Sequence, residues 1–219
     1  MKVTLLHNSP ISLLVQAIRT CYQSFDKSDS EWDYDCDIQL FYILGEKDRA
    51  LIKRIIESNH TSTLEHCVLT FKLEGWSRLC LQELARHRIA SYSVKSTRYT
   101  LSELKNEESF FPVRLNYERA NKYINLTKND DIDVCSTISL ELLRQKIVAG
   151  IPNDQVKYCL PECYKFDGIF TINLRSLRNF LELRTSKRAH FEIRELAFKI
   201  YEALPEEFRF TVEDCVHDR

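Results

Sequence analysis

Four glycines in 219 residues, at 45, 75, 150 and 168, limit how this chain can handle a phosphorylated ligand. No two stand close enough to build a backbone cradle, which excludes both the P-loop and the G-x-G-x-x-G turn of a dinucleotide-binding βαβ unit. Any phosphate has to be held by side chains and helix ends. Arginine, whose planar fork matches paired oxygens, is the residue suited to that work.

The arginines are concentrated where such a site needs them. The stretch Arg86-His87-Arg88-Ile89-Ala90-Ser91-Tyr92-Ser93-Val94-Lys95-Ser96-Thr97-Arg98-Tyr99 has no carboxylate, and none occurs between Leu84 and Leu101, in a chain of formal net charge -1. Two readings compete. A charge run is often only a solvated face. Here, however, Ile89, Ala90, Tyr92, Val94 and Tyr99 interleave with the cations, as expected of a wall that packs on one side and grips a ring-bearing, phosphorylated ligand on the other.

The rest of the composition is that of an ordinary globular protein, and residues 1–219 are expected to form a single domain. No apolar run approaches the roughly 18 residues of a membrane span. The first residues are broken by His7, Asn8 and Pro10, so they lack a signal-peptide core, and the expected location is cytoplasmic. The eight cysteines are scattered without a C-x-x-C pair, and His60 and His66 lack further partners at ligand spacing. Neither disulfides nor a metal site is expected.

Periodicity gives a mixed pattern of helices and strands. Lys2 to His7, Cys67 to Glu74 (closed by Gly75) and Phe166 to Ile172 read as strands. Helices are expected from Ser9-Pro10, with a hydroxyl cap and Ile11, Leu14, Val15 and Ile18 inward, and over Glu46 to Ser58, with Asn59 ending it. Further helices are expected over Ser77 to His87, Tyr117 to Leu126, Cys135 to Ala149 (Ile138, Leu142, Leu143 and Ile147 inward) and Ala189 to Leu204. A short one carries Lys157. Asp26 to Asp37, with six acidic residues against one lysine, reads as an acidic loop without evident chemistry.

Two more segments carry polar groups in suggestive places. His60-Thr61-Ser62-Thr63-Leu64-Glu65-His66 lies between a helix and a strand, where plain turns and binding sites are both common. Asn173 to Arg184, wound at 100° per residue, puts Arg175, Arg178, Asn179 and Glu182 on one polar face opposite Leu177 and Phe180. Arg184 falls on the apolar side, where an unpaired guanidinium is costly. Either the helix ends there and Arg184 reaches water, or it points into a pocket at a ligand.

Arg-His-Arg, seven residues, then Ser96, with Arg98-Tyr99 behind, resembles the signature of the flavin-dependent thymidylate synthases. The block ending Glu65-His66 and the Asn173, Arg175, Asn179 helix followed by Arg184 are similar to that family's other two blocks, in the same order. The resemblance implies an α+β fold with a central, mostly antiparallel sheet flanked by long helices. It implies reductive methylation of dUMP to dTMP, with methylenetetrahydrofolate as carbon donor and NADPH reducing a bound FAD. It also implies a homotetramer with sites between subunits, no cysteine nucleophile and no nucleic acid or membrane partner. For FAD it points to Ser62, Arg86, His87, Arg88, Asn173, Arg175 and Asn179. For dUMP it points to Glu83, Arg86, Ser96, Thr97, Arg98, Lys157 and Arg184, with Arg184 and Ser96 as the catalytic pair. Departures from the usual pattern stand at Glu83, Val94, Lys157, Arg188 and His190.

Chemistry constrains those roles. Arginine is too basic to accept a proton, so Arg184 is expected to hold the uracil N3 and O2 as an anion. A serine nucleophile needs an adjacent base, and Ser96 has only Lys95 and Arg98 beside it, so its hydroxyl is better suited to hydrogen-bonding substrate. The alternative from another class is an RNA-binding module using the basic, tyrosine-bearing segment 86–99. Near-neutral net charge and the lack of a recognisable RNA-binding motif weigh against it.

Overall fold

A computed structural model of the chain describes residues 1–34 and 40–218. Its strands are β1 (Lys2–Asn8), β2 (Glu31–Tyr34), β3 (Leu40–Ile43), β4 (Val68–Ser77), β5 (Ala90–Val94) and β6 (Lys165–Asn173). Its α-helices are α1 (Ile11–Tyr22), α2 (Glu46–Glu57), α3 (Arg78–Leu84), α4 (Thr97–Thr100), α5 (Tyr117–Ala120), α6 (Asp130–Val148), α7 (Asn153–Val156), α8 (Leu174–Arg184), α9 (Phe191–Glu202) and α10 (Glu206–Arg209).

Four strands form a sheet in the order β1-β4-β6-β5, and β2 pairs antiparallel with β3. The larger sheet is antiparallel too, because ascending positions on one strand meet descending ones on the next. Leu174 N–H reaches the Cys67 carbonyl (2.8 Å), while Arg78 N–H reaches that of Tyr164 (2.9 Å). Ser9 N–H likewise meets the Val68 carbonyl (2.9 Å), and Trp76 Nε1 meets that of Lys2 (3.0 Å). On the other side Lys95 N–H donates to the Asp167 carbonyl (2.8 Å), and the Tyr92 ring stacks on Phe170 at 5.4 Å. The fold is α+β, as the sequence leads one to expect.

Two compact units are described separately. The first comprises Met1–Lys2, Leu73–Arg86 and Ser93–Ile169. Its core gathers Leu101, Leu104, Phe110, Tyr123, Leu140, Leu143, Ile147 and Tyr164, all buried. Helix α6 starts earlier than its apolar pattern suggests, because Asn129 caps Ile132 N–H and three aspartates occupy the first turn, where the helix dipole favours them. Leu142, expected inward, is exposed, and Thr137 and Leu140 take the inner face instead. The helix expected over Tyr117 to Leu126 is only the four-residue α5, since Ile124 leaves it to bridge Tyr164.

The second unit comprises Val3–Lys72, His87–Tyr92 and Phe170–Arg219. Cys67, Leu69 and Phe71 are fully buried, as the alternation predicts, and Thr70 Oγ1 meets Thr171 Oγ1 across β4 and β6 at 2.9 Å. Helix α1 is capped by Pro10, not by a hydroxyl: the Ser9 hydroxyl accepts Val68 N–H instead. Asn59, at φ 58°, ends α2 in the left-handed conformation its amide tolerates.

The acidic segment has a structural role. Asp29 accepts Lys47 N–H (2.8 Å) and Asp48 N–H (3.1 Å), capping α2, and a Cβ on Gly45 would collide with the Asp29 carboxylate. Ser28 and Ser30 donate to the buried Asp48, which also pairs with Arg19 at 2.5 Å. Two serine hydroxyls and two Arg19 nitrogens, Nε and a terminal one, surround one buried carboxylate and satisfy a charge that would otherwise be costly. Residues 31–34 form a strand, not loop, and residues 35–37 of the acidic stretch lie outside the described residues.

In the first unit Gly75 does not end β4. At φ +74° it bends the strand, its N–H turns to the Asp167 carboxylate (2.8 Å), and pairing resumes through Trp76 to Ser77.

Candidate functional site

Within the second unit, the decisive contact joins His87 to the end of α8. Ser77 caps α3 through Cys80 N–H, the helix stops at Leu84, and Arg86-His87-Arg88 follows in the connection to β5. His87 is buried, its ring lying edge-on to Phe180 at 4.9 Å, and its carbonyl accepts the Tyr92 hydroxyl at 2.6 Å. Burial pushes the Tyr92 phenol up to about 12, so that hydroxyl stays a donor at neutral pH. Arg184, the last residue of α8, donates from Nε to His87 Nε2 at 2.9 Å. The helix does end at Arg184, and the guanidinium turns onto a buried imidazole.

Helix α8 starts on Asn173, whose Oδ1 accepts Ser176 N–H at 2.8 Å, leaving Nδ2 as the group able to serve a ligand. Its polar face lines a pocket of about 230 Å³ with Arg175, Arg178, Asn179 and Glu182, joined by Ile56, Asn59, Thr61 and Cys215. Arg175 and Arg178 differ in kind. Arg178 is held by both oxygens of Asp214 (2.7 and 2.6 Å) and by the Thr211 carbonyl, and it holds the Asp214 carboxyl below the usual range. Arg175 contacts only one oxygen of Glu65 in an exposed pair at 2.5 Å, which a competing anion can exchange. Thr61 rather than Ser62 lines the pocket; Ser62 is exposed on the same 3₁₀ turn, Thr61–His66. Burial pushes the Cys215 thiol up to about 11, so it is no thiolate nucleophile.

Within the first unit, Ser96 opens α4 with its hydroxyl outside any cap bond, while its carbonyl accepts Tyr99 N–H, Thr100 N–H and the Thr100 hydroxyl (3.2, 3.1 and 3.0 Å). Thr97 is buried and Arg98 exposed. Arg98 Nε pairs with Asp154 at 3.2 Å, its carbonyl accepts Asn153 Nδ2 at 2.8 Å, and its guanidinium lies over the Tyr99 ring. Asp154, Lys157 and Tyr158 line a shallow pocket of about 390 Å³. Arg98 and Lys157, 59 positions apart, are therefore gathered around Asp154. Glu83 is half-buried with its carbonyl on Arg86 N–H; the Arg86 side chain, and that of Arg88 in the second unit, are exposed.

The expected packing of segment 86–99 is corrected in part. Ala90, Tyr92 and Val94 turn inward on β5, but Ile89 and Tyr99 are 71% and 72% exposed. Both stand outside the strand, so its alternation does not reach them.

Comparison with known proteins bears on what these clusters serve. Residues 4–208 match the family model described as thymidylate synthase complementing protein. The chain is 52% identical over 211 residues to the flavin-dependent thymidylate synthase of Wolinella succinogenes, covering 96% of each. The chain belongs to the flavin-dependent thymidylate synthase family. The Helicobacter pylori member is 45% identical over 219 residues, covering 99% of each chain. A crystal structure of that H. pylori enzyme complexed with FAD and dUMP matches with a TM-score of 0.90 at 44% identity, covering 99% of this chain and 100% of the other. The RNA-binding alternative finds no support in these comparisons.

In this flavin-dependent thymidylate synthase, Arg175, Arg178, Asn179, Glu182 and Lys157 are the pocket-lining residues that the sequence singled out. Asp154, Tyr158, Asn59, Thr61 and Cys215 line the two pockets without having been named as site residues. Thr61, beside Ser62, and Asp154, three residues before Lys157, were within reach of a reading of neighbours. Cys215 was not, since nothing in the chain pattern joins it to α8. Among the departures from the family pattern, His190 acts locally, its Nδ1 accepting Glu192 N–H at 3.3 Å and so capping α9.

Proposed function

We propose that this chain, acting as one catalytic domain over residues 1–219, methylates dUMP reductively to dTMP, taking the carbon from methylenetetrahydrofolate and using NADPH. The observation that carries the reading is the Arg184–His87 contact, a cation fixed by a buried imidazole at the end of the helix that bears Arg175 and Asn179. Uracil C5 is a poor nucleophile, and a preorganised cation away from bulk water stabilises the negative charge that must spread over the ring. Arg184 serves in that role at N3 and O2, with its Nε fixed on His87. Ser96 donates a hydrogen bond to substrate. Arg98 and Lys157, with Arg86, Glu83 and the Thr97 backbone, hold the nucleotide's phosphate and sugar.

FAD suits the donors of the second unit. Arg175, Asn179 and the Thr61 hydroxyl match phosphate oxygens, and about 230 Å³ takes a diphosphate, not a whole dinucleotide. Asn173 Nδ2, Ser62, Arg86, His87 and Arg88 would complete the hold on the flavin. When bound and reduced by NADPH, FAD supplies the hydride. The working form is a homotetramer in the cytoplasm whose sites use more than one subunit; among the described residues no helix is long and apolar enough to cross a membrane.

The test is an assay of the purified protein. It should absorb near ~450 nm or bind added FAD, as expected of a flavin whose chemistry the protein only tunes, and should oxidise NADPH only when dUMP and methylenetetrahydrofolate are present, forming dTMP. Absence of dTMP, or RNA affinity with steep salt dependence and no flavin, would overturn the reading.

A further inference from the structure

We infer that Glu103, with Lys95 and Tyr164, is a positioning clamp that fixes the Ser96-Thr97-Arg98 segment for the deoxynucleotide; the inference rests on the reading proposed above. All of these residues lie in the first unit. Lys95 Nζ donates to both oxygens of Glu103 (3.0 and 2.9 Å), closing a loop around the eight-residue step that contains Ser96, Thr97 and Arg98. The Tyr164 hydroxyl donates to the same Glu103 carboxylate at 2.9 Å. Tyr164 is 1% exposed in the unit's core, and Leu101 and Leu104, which flank Glu103 on its 3₁₀ turn, are fully buried. Glu103 is thus anchored to rigid structure from two sides. Lys95 is anchored as well, its backbone N–H on the Asp167 carbonyl at the end of β5. Between these fixed points the chain has little freedom, and it carries the hydroxyl and the guanidinium assigned to substrate.

The same residues border a cavity of about 270 Å³ with Gly75, Lys122, Tyr123, Lys165 and Asp167. Three lysines suggest an anion site at first sight. Their charges are already engaged, however: Lys95 on Glu103, Lys122 on Glu107 at 3.0 Å, and Lys165 on the Asn121 carbonyl. A ligand would have to displace those partners, so the cavity serves better as the back wall of the clamp.

A purely stabilising role is a poor account of the pair. Lys95 and Glu103 are each about one-third exposed, and exposed ion pairs contribute little to stability. What such a pair does well is restrict a loop, lowering the entropy that substrate binding must otherwise cost. The loss should therefore appear in dUMP affinity.

The experiment compares Lys95→Met, Glu103→Leu and Lys95→Arg with the unaltered holoenzyme, measuring kcat, KM for dUMP, flavin content and Tm. Lys95→Met and Glu103→Leu should each raise KM for dUMP about tenfold, the size expected for a lost pre-ordering effect, with kcat and flavin content within about twofold; Tm should be unchanged in Lys95→Met and lower in Glu103→Leu, which also strands the buried Tyr164 hydroxyl. Lys95→Arg, which keeps a cation on Glu103, should restore most of the affinity. An unmoved KM for dUMP in Lys95→Met overturns the clamp, and so does a joint fall of kcat, flavin content and Tm, which marks a structural pair. If the unaltered protein makes no dTMP, the functional reading fails instead, and direct titration of dUMP onto the same variants still decides the clamp.

Discussion

Arg184 Nε donates to Nε2 of His87 at 2.9 Å, joining residues 97 positions apart. A guanidinium nitrogen only donates, so Nε2 must accept and the imidazole proton belongs on Nδ1. His87 is neutral in this arrangement. A neutral, buried acceptor fixes the direction of the cation without neutralising its charge, which suits an electrostatic role on a developing anion.

Arg184→Ala should cut turnover at least about a hundredfold, the size typical of losing one charge-stabilising donor, while flavin stays bound. His87→Gln, whose amide oxygen can still accept, should cost less than His87→Ala. In Arg184→Ala, adding His87→Ala should lower kcat little further, because the two act as one unit. Steady-state kinetics with flavin absorbance checks all three, and additive losses would separate the residues.

Arg98 pairs with Asp154 at 3.2 Å with both side chains more than half exposed, so the bond is weak and open to competition. Arg98→Ala should raise KM for dUMP about tenfold or more, as expected for a charge-assisted phosphate contact, with little effect on FAD. Asp154→Asn removes a carboxylate beside the proposed phosphate position and should tighten dUMP by about two- to threefold at low salt, an effect that fades as ionic strength rises. Calorimetric titration at two salt concentrations measures both.

The two arginines on the polar face of α8 should separate by phenotype. Arg175→Ala should lower FAD affinity by about tenfold, a loss appropriate to one exchangeable phosphate contact, with Tm of the flavin-free protein nearly unchanged. Arg178→Ala breaks a bidentate pair at a largely buried side chain and removes the donor to the carbonyl of the buried Thr211, so it should destabilise by about 2 kcal/mol. Flavin titration and thermal melts distinguish these outcomes.

Glu141 supplies a prediction about acid. Burial alone would raise its carboxyl, but Arg144, the Phe110 N–H and Gln145 outweigh that and hold it down to about 2. A carboxyl depressed on folding contributes stability above its ordinary value of 4.5, and loses it as pH falls towards 2. The contribution at neutral pH is about 3 kcal/mol for a shift of this size. Denaturant melts should show Glu141→Gln destabilised by roughly that amount at pH 7, with the gap to the unaltered protein closing between about pH 4.5 and pH 2. A gap that persists at pH 2 would assign the loss to packing.

Much of the architecture was legible because it follows from local pattern. Period-two burial marked β4, Asn59 marked the end of α2, and the polar stripe of Arg175, Arg178, Asn179 and Glu182 proved to line one pocket. Misreadings came where a distant partner overrides the local preference. The Ser9 hydroxyl accepts Val68 N–H instead of capping a helix, Gly75 bent a strand because Asp167 could take its N–H, and Ile124 left a helical stretch to meet Tyr164.

By itself, the sequence determined a mixed pattern of helices and strands, because their periods are properties of neighbours along the chain, and the resemblance of its three polar blocks to a known family supplied the fold class and the candidate site. It also excluded a glycine-rich turn as the holder of any phosphate. Only the tertiary structure decided which of the chain's cations are engaged: Arg178 locked on Asp214, Arg175 loosely on Glu65, Arg184 steered by His87, and Lys95 clamped to Glu103. The availability of a charged side chain is fixed by the burial and geometry of partners remote in sequence, and linear spacing carries no record of either.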